Sequence, residues 1–348
     1  MRFRPGLLAA VSFTAALAAS PLLIAAEQAA ISKGEVNVYS YRQPFLIQPM
    51  FDAFTRKSGV KVNVVFAKKG LVERLEQEGR NSPADLIFTV DIGRLSDAQN
   101  AGVTQSVSTP ILTGAIPESF RQSDGHWYGL TQRARILYVS KDRVPADESP
   151  KTYEELADPK WKGRICTRSG SHVYQVALTA AMIAHHGEDK AKDWLNGLKA
   201  NLARKPQGND RAQVKAIKEG ECDVSLGNNY YFGLMLNNKD QFAWAQAVYP
   251  VFPTLAGTGT HVNIAGMAMT KASPNKDNAL KLMEFLTSNL AQQMYAEQNF
   301  EYPIAEGVPQ AGLLRSMGKL IPDTLDLDKI AENRPMAIKL INEVGYND

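Results

Sequence analysis

Residues 36–66 read VNVYSYRQPFLIQPMFDAFTRKSGVKVNVVF, and this stretch sets the pattern for the rest of the chain. Its valine-rich start predicts a β-strand. Residues 45–56 predict a helix, because Pro44 suits the first helical position and Gly59 suits the end. Residues 60–66 predict a second strand. The order of strand, helix and strand is the β-α-β unit, whose two strands pair in parallel.

The same alternation continues along the chain. Further strands are predicted at residues 85–89, 133–139, 164–167, 223–226 and 262–270. Further helices are predicted at residues 71–78, 173–184, 189–198, 212–218 and 278–290, and the end of the chain from residue 312 looks helical and polar. Repeated β-α-β order predicts an α/β fold with a mostly parallel sheet and helices on both faces. Such sheets bind ligands beyond the carboxyl ends of their strands.

Length and composition limit the possible classes of protein. The chain has 348 residues, of which 44% are hydrophobic and 22% charged, so it is not mainly disordered, collagenous or coiled coil. Chains of this length tend to split into domains, and we expect two lobes. The net charge is +3, and it falls to +1 without Arg2 and Arg4. A nearly neutral chain has no bulk electrostatic reason to bind nucleic acid or an anionic membrane.

Residues 1–26 have the features of a secretory signal. Arg2 and Arg4 precede a mostly apolar stretch that ends in the small residues Ala25 and Ala26. The alternative is a membrane anchor, which needs about 20 continuous apolar residues. Ser12 interrupts the stretch, as do other polar residues, so we expect a removable signal and an exported protein.

Export would place the two cysteines, Cys166 and Cys222, in an oxidising compartment. An oxidising compartment favours a disulfide between them, and two buried free thiols are the alternative. A bridge over a loop of this length would contribute up to about 4 kcal/mol of stability.

No common catalytic or phosphate-binding motif occurs in the sequence. There is no P-loop, no G-x-G-x-x-G, no G-x-S-x-G and no H-E-x-x-H. His185 and His186 are adjacent at the predicted end of a helix. There they complement the helix dipole, or alternatively bind a metal, and we favour the first interpretation.

Three tyrosines lie where predicted strands give way to helices. Tyr174 follows the expected N-cap Ser171, and Tyr230 and Tyr231 follow the expected cap Asn228-Asn229. The start of a helix favours negative charge, so we expect these phenols to be biased toward phenolate. The alternative is that they are ordinary half-buried aromatic residues.

The cysteines and tyrosines share one spacing. Cys166 precedes Tyr174 by eight residues, as Cys222 precedes Tyr230. A bridge would hold together the strands that lead to these tyrosines, so the phenols, with Tyr231, would converge. Three phenolates match a trivalent hard cation, and ferric iron is the obvious candidate.

Arginines near the predicted strand ends are suited to bind an anion. Arg42 ends the first strand, and Arg133 and Arg135 face the same side of a later strand. Exposed salt bridges are the alternative for each. A ferric ion with three phenolates has vacant positions, which a small anion such as carbonate could fill, and arginine binds planar anions bidentately.

At these residues the sequence resembles the periplasmic ferric-iron-binding proteins of ABC importers, over nearly the whole mature chain. The resemblance rests on these stretches: residues 38–42 (VYSYR), 82–85 (SPAD), 132–135 (QRAR), 153–163 (YEELADPKWKG), 206–210 (PQGND) and 229–231 (NYY). It implies a type II-like periplasmic binding protein fold. Two α/β lobes would be joined by β-strand hinges, with the ligand cleft between them. By motif position, it also implies Tyr174, Tyr230 and Tyr231 as iron ligands.

The expected organisation follows from this resemblance. The N-terminal lobe comprises residues 27–132 and 258–310, the C-terminal lobe residues 133–257, and residues 311–348 form a helical segment across both. The resemblance also implies a monomer in the periplasm. It would deliver iron to an inner-membrane ABC permease and meet the membrane only through that permease.

One departure from the family concerns the first lobe. Some members carry His-Tyr directly after the arginine as additional ligands, but here Gln43 and Pro44 stand there. We therefore expect no strong protein ligand from this lobe. The sequence is more similar to the subgroup with three tyrosines and a synergistic anion, with Arg42 and Arg133 as anion partners. Tyr41 is a possible extra ligand, but we do not expect it to bind.

The sequence thus predicts a binding protein for ferric iron rather than an enzyme. One alternative is the same architecture carrying a small organic anion or a polyamine. Another is an exported metal-dependent enzyme, although no cluster of acid and base residues accompanies the tyrosines.

Overall fold

The structure is a computed structural model that describes residues 34–348. The predicted signal segment, residues 1–26, lies outside the described residues. Within residues 34–348, no helix is both long enough and apolar enough to span a bilayer.

Strands and helices alternate through most of the described chain. The strands are β1 (Glu35–Ser40), β2 (Lys61–Phe66), β3 (Leu86–Thr89), β4 (Tyr128–Ser140), β5 (Ile165–Cys166), β6 (Val224–Asn228), β7 (Val248–Val251), β8 (Val262–Met269) and β9 (Tyr302–Pro303). The helices of the first part are α1 (Pro44–Ser58), α2 (Leu71–Glu78), α3 (Ile92–Asn100), α4 (Pro110–Ala115), α5 (Val173–His186), α6 (Glu188–Ala200) and α7 (Asp210–Lys218). Those that follow are α8 (Tyr230–Leu236), α9 (Phe242–Gln246), α10 (Lys276–Thr287), α11 (Asn289–Asn299), α12 (Gly312–Ser316), α13 (Leu327–Glu332) and α14 (Arg334–Glu343).

Local signals explain where several elements begin and end. The Asp91 side chain accepts a hydrogen bond from Arg94 N and so caps α3. Gly59 ends α1 in the left-handed conformation, with φ of 75°, where a side chain would be strained. Ser288 takes an extended conformation and divides the single helix predicted at residues 278–290 into α10 and α11. That prediction was therefore wrong in its last turn, because Ser288 caps α11 instead of continuing α10.

The strands form one mixed sheet in the order β2-β1-β3-β8-β4-β6-β5, with β7 and β9 paired to β4. The outer pairs are parallel, as predicted: β1 pairs with β2 and β3, and β5 pairs with β6. The inner pairs are antiparallel: β3 with β8, β8 with β4, and β4 with β6. The expectation of a mostly parallel sheet was wrong for the centre, because β4 and β8 run in opposite directions there.

Strand β4 belongs to both halves of the sheet. Residues 128–134 of this strand pair with β8, and residues 135–139 pair with β6. The second half also includes β7, which pairs with residues 137–140 of β4. We therefore keep, as a proposal, the predicted division of the lobes near residue 132.

The C-terminal segment contacts both halves. Helix α13 packs against α3 and α5, and α14 packs against α5 and α6. Arg334 Nη1 lies 2.9 Å from both carboxylate oxygens of Asp97 on α3. The segment is less polar than its sequence suggested, because Leu340, Ile341 and Tyr346 are buried. These contacts support the proposal that residues 311–348 pack across the two lobes.

Candidate metal centre

Tyr174 lies in the first turn of α5, just after β5. The residue that caps this helix is His172, whose Nδ1 accepts a hydrogen bond of 3.3 Å from Tyr174 N. The predicted cap, Ser171, was therefore wrong by one residue. Burial and the charge of Arg168 lower the pKa of His172 to about 3, so its imidazole is neutral and can accept this bond. The two rings meet edge to face, with centroids 4.5 Å apart.

The end of the chain holds the loop that leads to Tyr174. Asn347 Oδ1 accepts hydrogen bonds from Gly170 N at 2.8 Å and from Ser169 Oγ at 3.1 Å. Tyr346 is fully buried, and its hydroxyl lies 3.0 Å from Thr167 Oγ1. A Cβ at Gly170 would come within 2.7 Å of the Tyr346 ring, so glycine permits this close approach.

Cys166 and Cys222 form a disulfide, with their Cα atoms 5.9 Å apart. This confirms the predicted bridge, and the alternative of two free thiols was wrong. The bond fastens the end of β5 to the turn before β6. These are the strands that lead to the two helices carrying the tyrosines.

Tyr230 and Tyr231 open α8, directly after the buried Asn229. The Asn229 side chain accepts from Ala134 N at 2.9 Å and donates to Phe300 O at 2.9 Å. It thereby ties the start of α8 to β4 and to the end of α11. The prediction that Asn229 caps the helix was wrong, because its side chain makes no capping hydrogen bond to α8.

The three tyrosines lie together. The hydroxyl oxygens of Tyr174 and Tyr230 are 3.2 Å apart, and the rings of Tyr230 and Tyr231 have centroids 4.2 Å apart. Tyr230 is buried, while Tyr174 and Tyr231 are half-buried. The arrangement gathers phenol oxygens from two helices whose preceding strands are joined by the disulfide.

Burial sets the protonation of two of these phenols. It raises the pKa of Tyr230 well above its usual value, and the neighbouring Tyr174 and Tyr231 raise it further. Burial, Tyr174 and Asp210 likewise raise the pKa of Tyr231. The expectation that the helix start biases these two phenols toward phenolate was wrong. Desolvation of a buried phenolate exceeds the dipole effect, which is about 0.3–1 kcal/mol.

Arginines surround the Tyr174 ring. The guanidinium carbons of Arg133, Arg135 and Arg168 lie 5.4, 5.7 and 5.3 Å from its centroid. Arg135 and Arg168 share the buried Asp210, at 2.8 and 3.0 Å. Burial would raise the pKa of Asp210, but the two arginines lower it, so the carboxylate is charged.

Arg133 is different from its neighbours. It is 2% exposed, and its Nε and Nη2 are buried without a hydrogen-bond partner. Within residues 34–348 it forms no ion pair, so its positive charge is available to a ligand.

Arg42 forms a buried ion pair, whereas the sequence suggested an anion partner or an exposed salt bridge. Its two terminal nitrogens donate to the two carboxylate oxygens of Glu301, at 3.2 and 2.7 Å. The side chains are 2% and 3% exposed. Burial would lower the pKa of Arg42, but the charge of Glu301 raises it. Glu301 therefore occupies both terminal nitrogens of Arg42, and the predicted role of Arg42 as an anion partner stays a prediction that requires this pair to open.

Tyr41 has hydrogen-bond partners outside the tyrosine cluster. The Tyr41 hydroxyl accepts hydrogen bonds from Leu71 N and Val72 N, at 2.9 and 3.0 Å, where α2 begins. Gln43 is exposed and precedes α1. These contacts support the expectation that Tyr41 is structural.

The histidine pair at the end of α5 contacts carboxylates. His185 Nε2 lies 2.9 Å from Asp323 Oδ2, and His186 Nε2 lies 2.7 Å from Glu154 Oε1. No group of three or more His, Cys, Asp or Glu in residues 34–348 is arranged to hold a metal ion.

Comparison with known proteins identifies the family. Residues 81–322 match the model of the bacterial extracellular solute-binding proteins. The chain belongs to this family. The solute-binding protein is 43% identical over 315 residues to iron uptake protein A1 of Synechocystis sp., covering 90% of this chain and 87% of that protein.

Solved structures agree with this assignment. The solute-binding protein is similar to the apo ferric ion-binding protein A of Pasteurella haemolytica, with a TM-score of 0.87 and 51% identity over 90% of this chain and 98% of that one. It is also similar to the IdiA (FutA) protein of Trichodesmium in complex with iron and citrate, with a TM-score of 0.85 and 41% identity. The match covers 90% of this chain and 100% of the Trichodesmium chain. The likenesses confirm the resemblance to ferric-iron-binding proteins and the two-lobe fold.

Several residues of the site were not predicted. Asp210 lies in residues 206–210 (PQGND), one of the stretches on which the resemblance to the family rests. The polar residues of this stretch were the signal that could have indicated a role for Asp210 in the site. Asn229 was expected only as a cap. Glu301 and Asn347 had no signal, because each acts on a residue more than a hundred positions away.

Proposed function

We propose that this solute-binding protein captures ferric iron through the phenolates of Tyr174, Tyr230 and Tyr231. The observation that carries the proposal is the approach of the Tyr174 and Tyr230 hydroxyl oxygens to 3.2 Å, with Tyr231 packed against Tyr230. At this distance the two hydroxyl groups share a hydrogen bond. A trivalent cation that displaced the protons would find oxygen donors already close together.

Charge and donor type favour Fe³⁺ as the cargo. Phenolate oxygens are hard donors, and three of them balance a charge of +3. Because the pKa values of Tyr230 and Tyr231 are raised, these phenols are protonated before iron arrives. Iron binding would therefore release protons, as binding to any protonated ligand set does.

A synergistic anion, carbonate or a similar oxoanion, would complete the site beside Arg133. Its unpartnered donors and its position over the Tyr174 ring support this role. Burial raises the pKa of Tyr230, and the positive charge of Arg133 partly opposes that rise. Arg42 is a weaker candidate than the sequence suggested, because Glu301 would first have to release it.

The setting of this function is periplasmic capture followed by delivery to an inner-membrane ABC permease. Proteins of this family work with such permeases. The named relatives are binding and uptake proteins, which supports a carrier that performs no reaction. We expect a monomer that meets the membrane only at the permease.

Metal analysis together with visible spectroscopy tests the proposal. Phenolate-to-iron charge transfer absorbs visible light, so the iron-loaded protein should be coloured at one iron per chain. Tyr231→Phe should shift or weaken the band. Tyr249→Phe, a half-buried tyrosine bonded to Val144 O, is the control and should leave it unchanged. A colourless wild-type protein that binds no ferric iron would refute the assignment.

A further inference from the structure

Asp210 is a fully buried carboxylate at the start of α7. Asn209 caps this helix, because its Oδ1 accepts a hydrogen bond of 3.0 Å from Ala212 N. The first turn of a helix favours negative charge, so the fold stabilises a carboxylate at this position. A buried charge is nevertheless costly unless it is paired, and the partners of Asp210 indicate which parts of the fold it holds together.

Three donors from three other segments meet this carboxylate. Oδ2 of Asp210 accepts from Arg135 Nη1 on β4 at 2.8 Å and from Asn228 N at the end of β6 at 3.0 Å. Oδ1 accepts from Arg168 Nη1, in the loop between β5 and α5, at 3.0 Å. Both oxygens are thus bonded, and one side chain connects α7 to two strands and a loop.

These partners lead to the tyrosine cluster from two directions. The guanidinium carbons of Arg135 and Arg168 lie 5.7 and 5.3 Å from the centroid of the Tyr174 ring. Asn228 comes two residues before Tyr230, at which α8 begins. The carboxylate therefore links the side chains beside one phenol to the backbone that carries the other, and the two hydroxyl oxygens lie 3.2 Å apart.

The disulfide does not make this connection. It joins β5 to the turn before β6, at Cys222, whereas Asp210 binds Asn228 at the other end of that strand. The two ties thus restrain opposite ends of β6. The Asp210 tie also includes the two guanidinium groups beside the Tyr174 ring.

We propose that Asp210 is a positioning residue of the metal centre, whose carboxylate sets the place of Tyr174 relative to Tyr230 through two arginines and the end of β6. The proposal rests on the proposed function, because the two tyrosines matter here as iron ligands. Partners that orient a metal ligand contribute to affinity, and their removal costs about 10- to 100-fold in metal binding. Asp210 acts through its partners rather than as a ligand.

Asp210→Asn tests the proposal with almost no change in shape. An amide oxygen in place of Oδ2 keeps the bonds from Arg135 and from Asn228 N. The amide nitrogen then replaces Oδ1 and faces Arg168, so that two donors oppose each other. We expect Arg168 to leave the Tyr174 ring. Arg168→Met is the second variant, because it removes the same contact and leaves the pairing of Asp210 with Arg135 intact.

Asp85→Asn is the matched control. Asp85 is also fully buried, and its oxygens accept from Asn37 N at 2.7 Å and from Asn275 N at 2.6 Å. It lies directly before β3, in the other half of the sheet. The change removes a buried negative charge in the same way, but it leaves the surroundings of the tyrosines untouched.

Crystal structures of the iron-free proteins give the first readout. The Tyr174 and Tyr230 hydroxyl oxygens should lie within hydrogen-bond distance in the wild type and in Asp85→Asn. They should be separated beyond about 3.5 Å in Asp210→Asn and in Arg168→Met. An unchanged separation in Asp210→Asn or, if that variant does not fold, in Arg168→Met would overturn the proposal.

Ferric affinity, measured by competition against a chelator, gives the second readout. Asp210→Asn should bind iron about 10- to 100-fold more weakly than the wild type and shift its visible band, whereas Asp85→Asn should match the wild type in both. Equal losses in the two variants would mean that only stability had changed, and they would overturn the proposal. A wild type that binds no ferric iron would instead refute the proposed function, and the separation of the hydroxyl oxygens would still decide the positioning role.

Discussion

Arg42 and Glu301 form a buried ion pair with two parallel hydrogen bonds, between residues 259 positions apart in the chain. The end of β1 is thereby fixed to the segment that follows α11. A pair of this kind is costly to break from one side, because the remaining charge stays buried without a partner. The pair also decides which arginine is free to bind the proposed synergistic anion.

The first prediction separates these two roles of Arg42. Arg42→Met should destabilise the protein by about 3–5 kcal/mol, whereas the double variant with Glu301→Leu should recover most of this loss. Thermal or denaturant unfolding measures both. The double variant should keep the carbonate dependence of iron binding, and Arg133→Gln should lose it. If the double variant lost that dependence instead, Arg42 would be the anion partner after all.

The disulfide should support both stability and the tyrosine cluster. Free-thiol counting on denatured, unreduced protein should give close to zero. Reduction, or the paired change of Cys166 and Cys222 to alanine, should lower the free energy of unfolding by up to about 4 kcal/mol for a separation of 56 residues. Iron affinity should fall as well, because β5 and β6 would no longer be fastened. Unchanged iron affinity in the double alanine variant would show that the bridge does not position the tyrosines.

The end of the chain should influence iron binding through Tyr174. Asn347→Ala removes the acceptor of Gly170 N and Ser169 Oγ, each bond contributing about 1 kcal/mol. We expect iron affinity to fall about tenfold, a change of about 1.4 kcal/mol. Asn342→Ala, at an exposed residue of α14, should have no effect. Equal affinities of the two variants would exclude this positioning role.

Much of this architecture could be predicted from local sequence. Strands and helices up to β3 follow from valine-rich runs and from helix ends such as Gly59. The tyrosine cluster was also accessible, because its members lie next to strand ends that one disulfide joins. In each case the residues that give the prediction lie within a few positions of the element or side chain that they predict.

Long-range partners could not be predicted. Nothing near Arg42 indicates that Glu301 occupies its fork, and nothing near Tyr174 indicates that Asn347 holds the preceding loop. The protonation of Tyr230 was misjudged for a related reason. Burial depends on the whole fold, and its desolvation cost exceeds the helix dipole that the sequence reveals.

Acidification should weaken iron binding steeply. Because the raised pKa values of Tyr230 and Tyr231 keep both phenols protonated near neutral pH, each bound phenolate requires the release of a proton. Affinity should fall about tenfold per proton for each pH unit, with about three protons per iron from the tyrosines. Competition against a chelator of known proton stoichiometry measures this number, and Tyr231→Phe should lower it by about one. An affinity that is flat between about pH 5 and pH 7 would contradict the phenolate mechanism.

The ligand set itself is tested most directly by the ferric affinity of Tyr174→Phe compared with that of Tyr41→Phe. Each change removes one hydroxyl, but only Tyr174 belongs to the cluster, whereas the Tyr41 hydroxyl is bonded to the start of α2. Chelator competition should show that Tyr174→Phe loses most of the affinity, with the fold intact by circular dichroism, and that Tyr41→Phe stays close to wild type. Loss of binding in Tyr41→Phe together with wild-type affinity in Tyr174→Phe would contradict the proposed site.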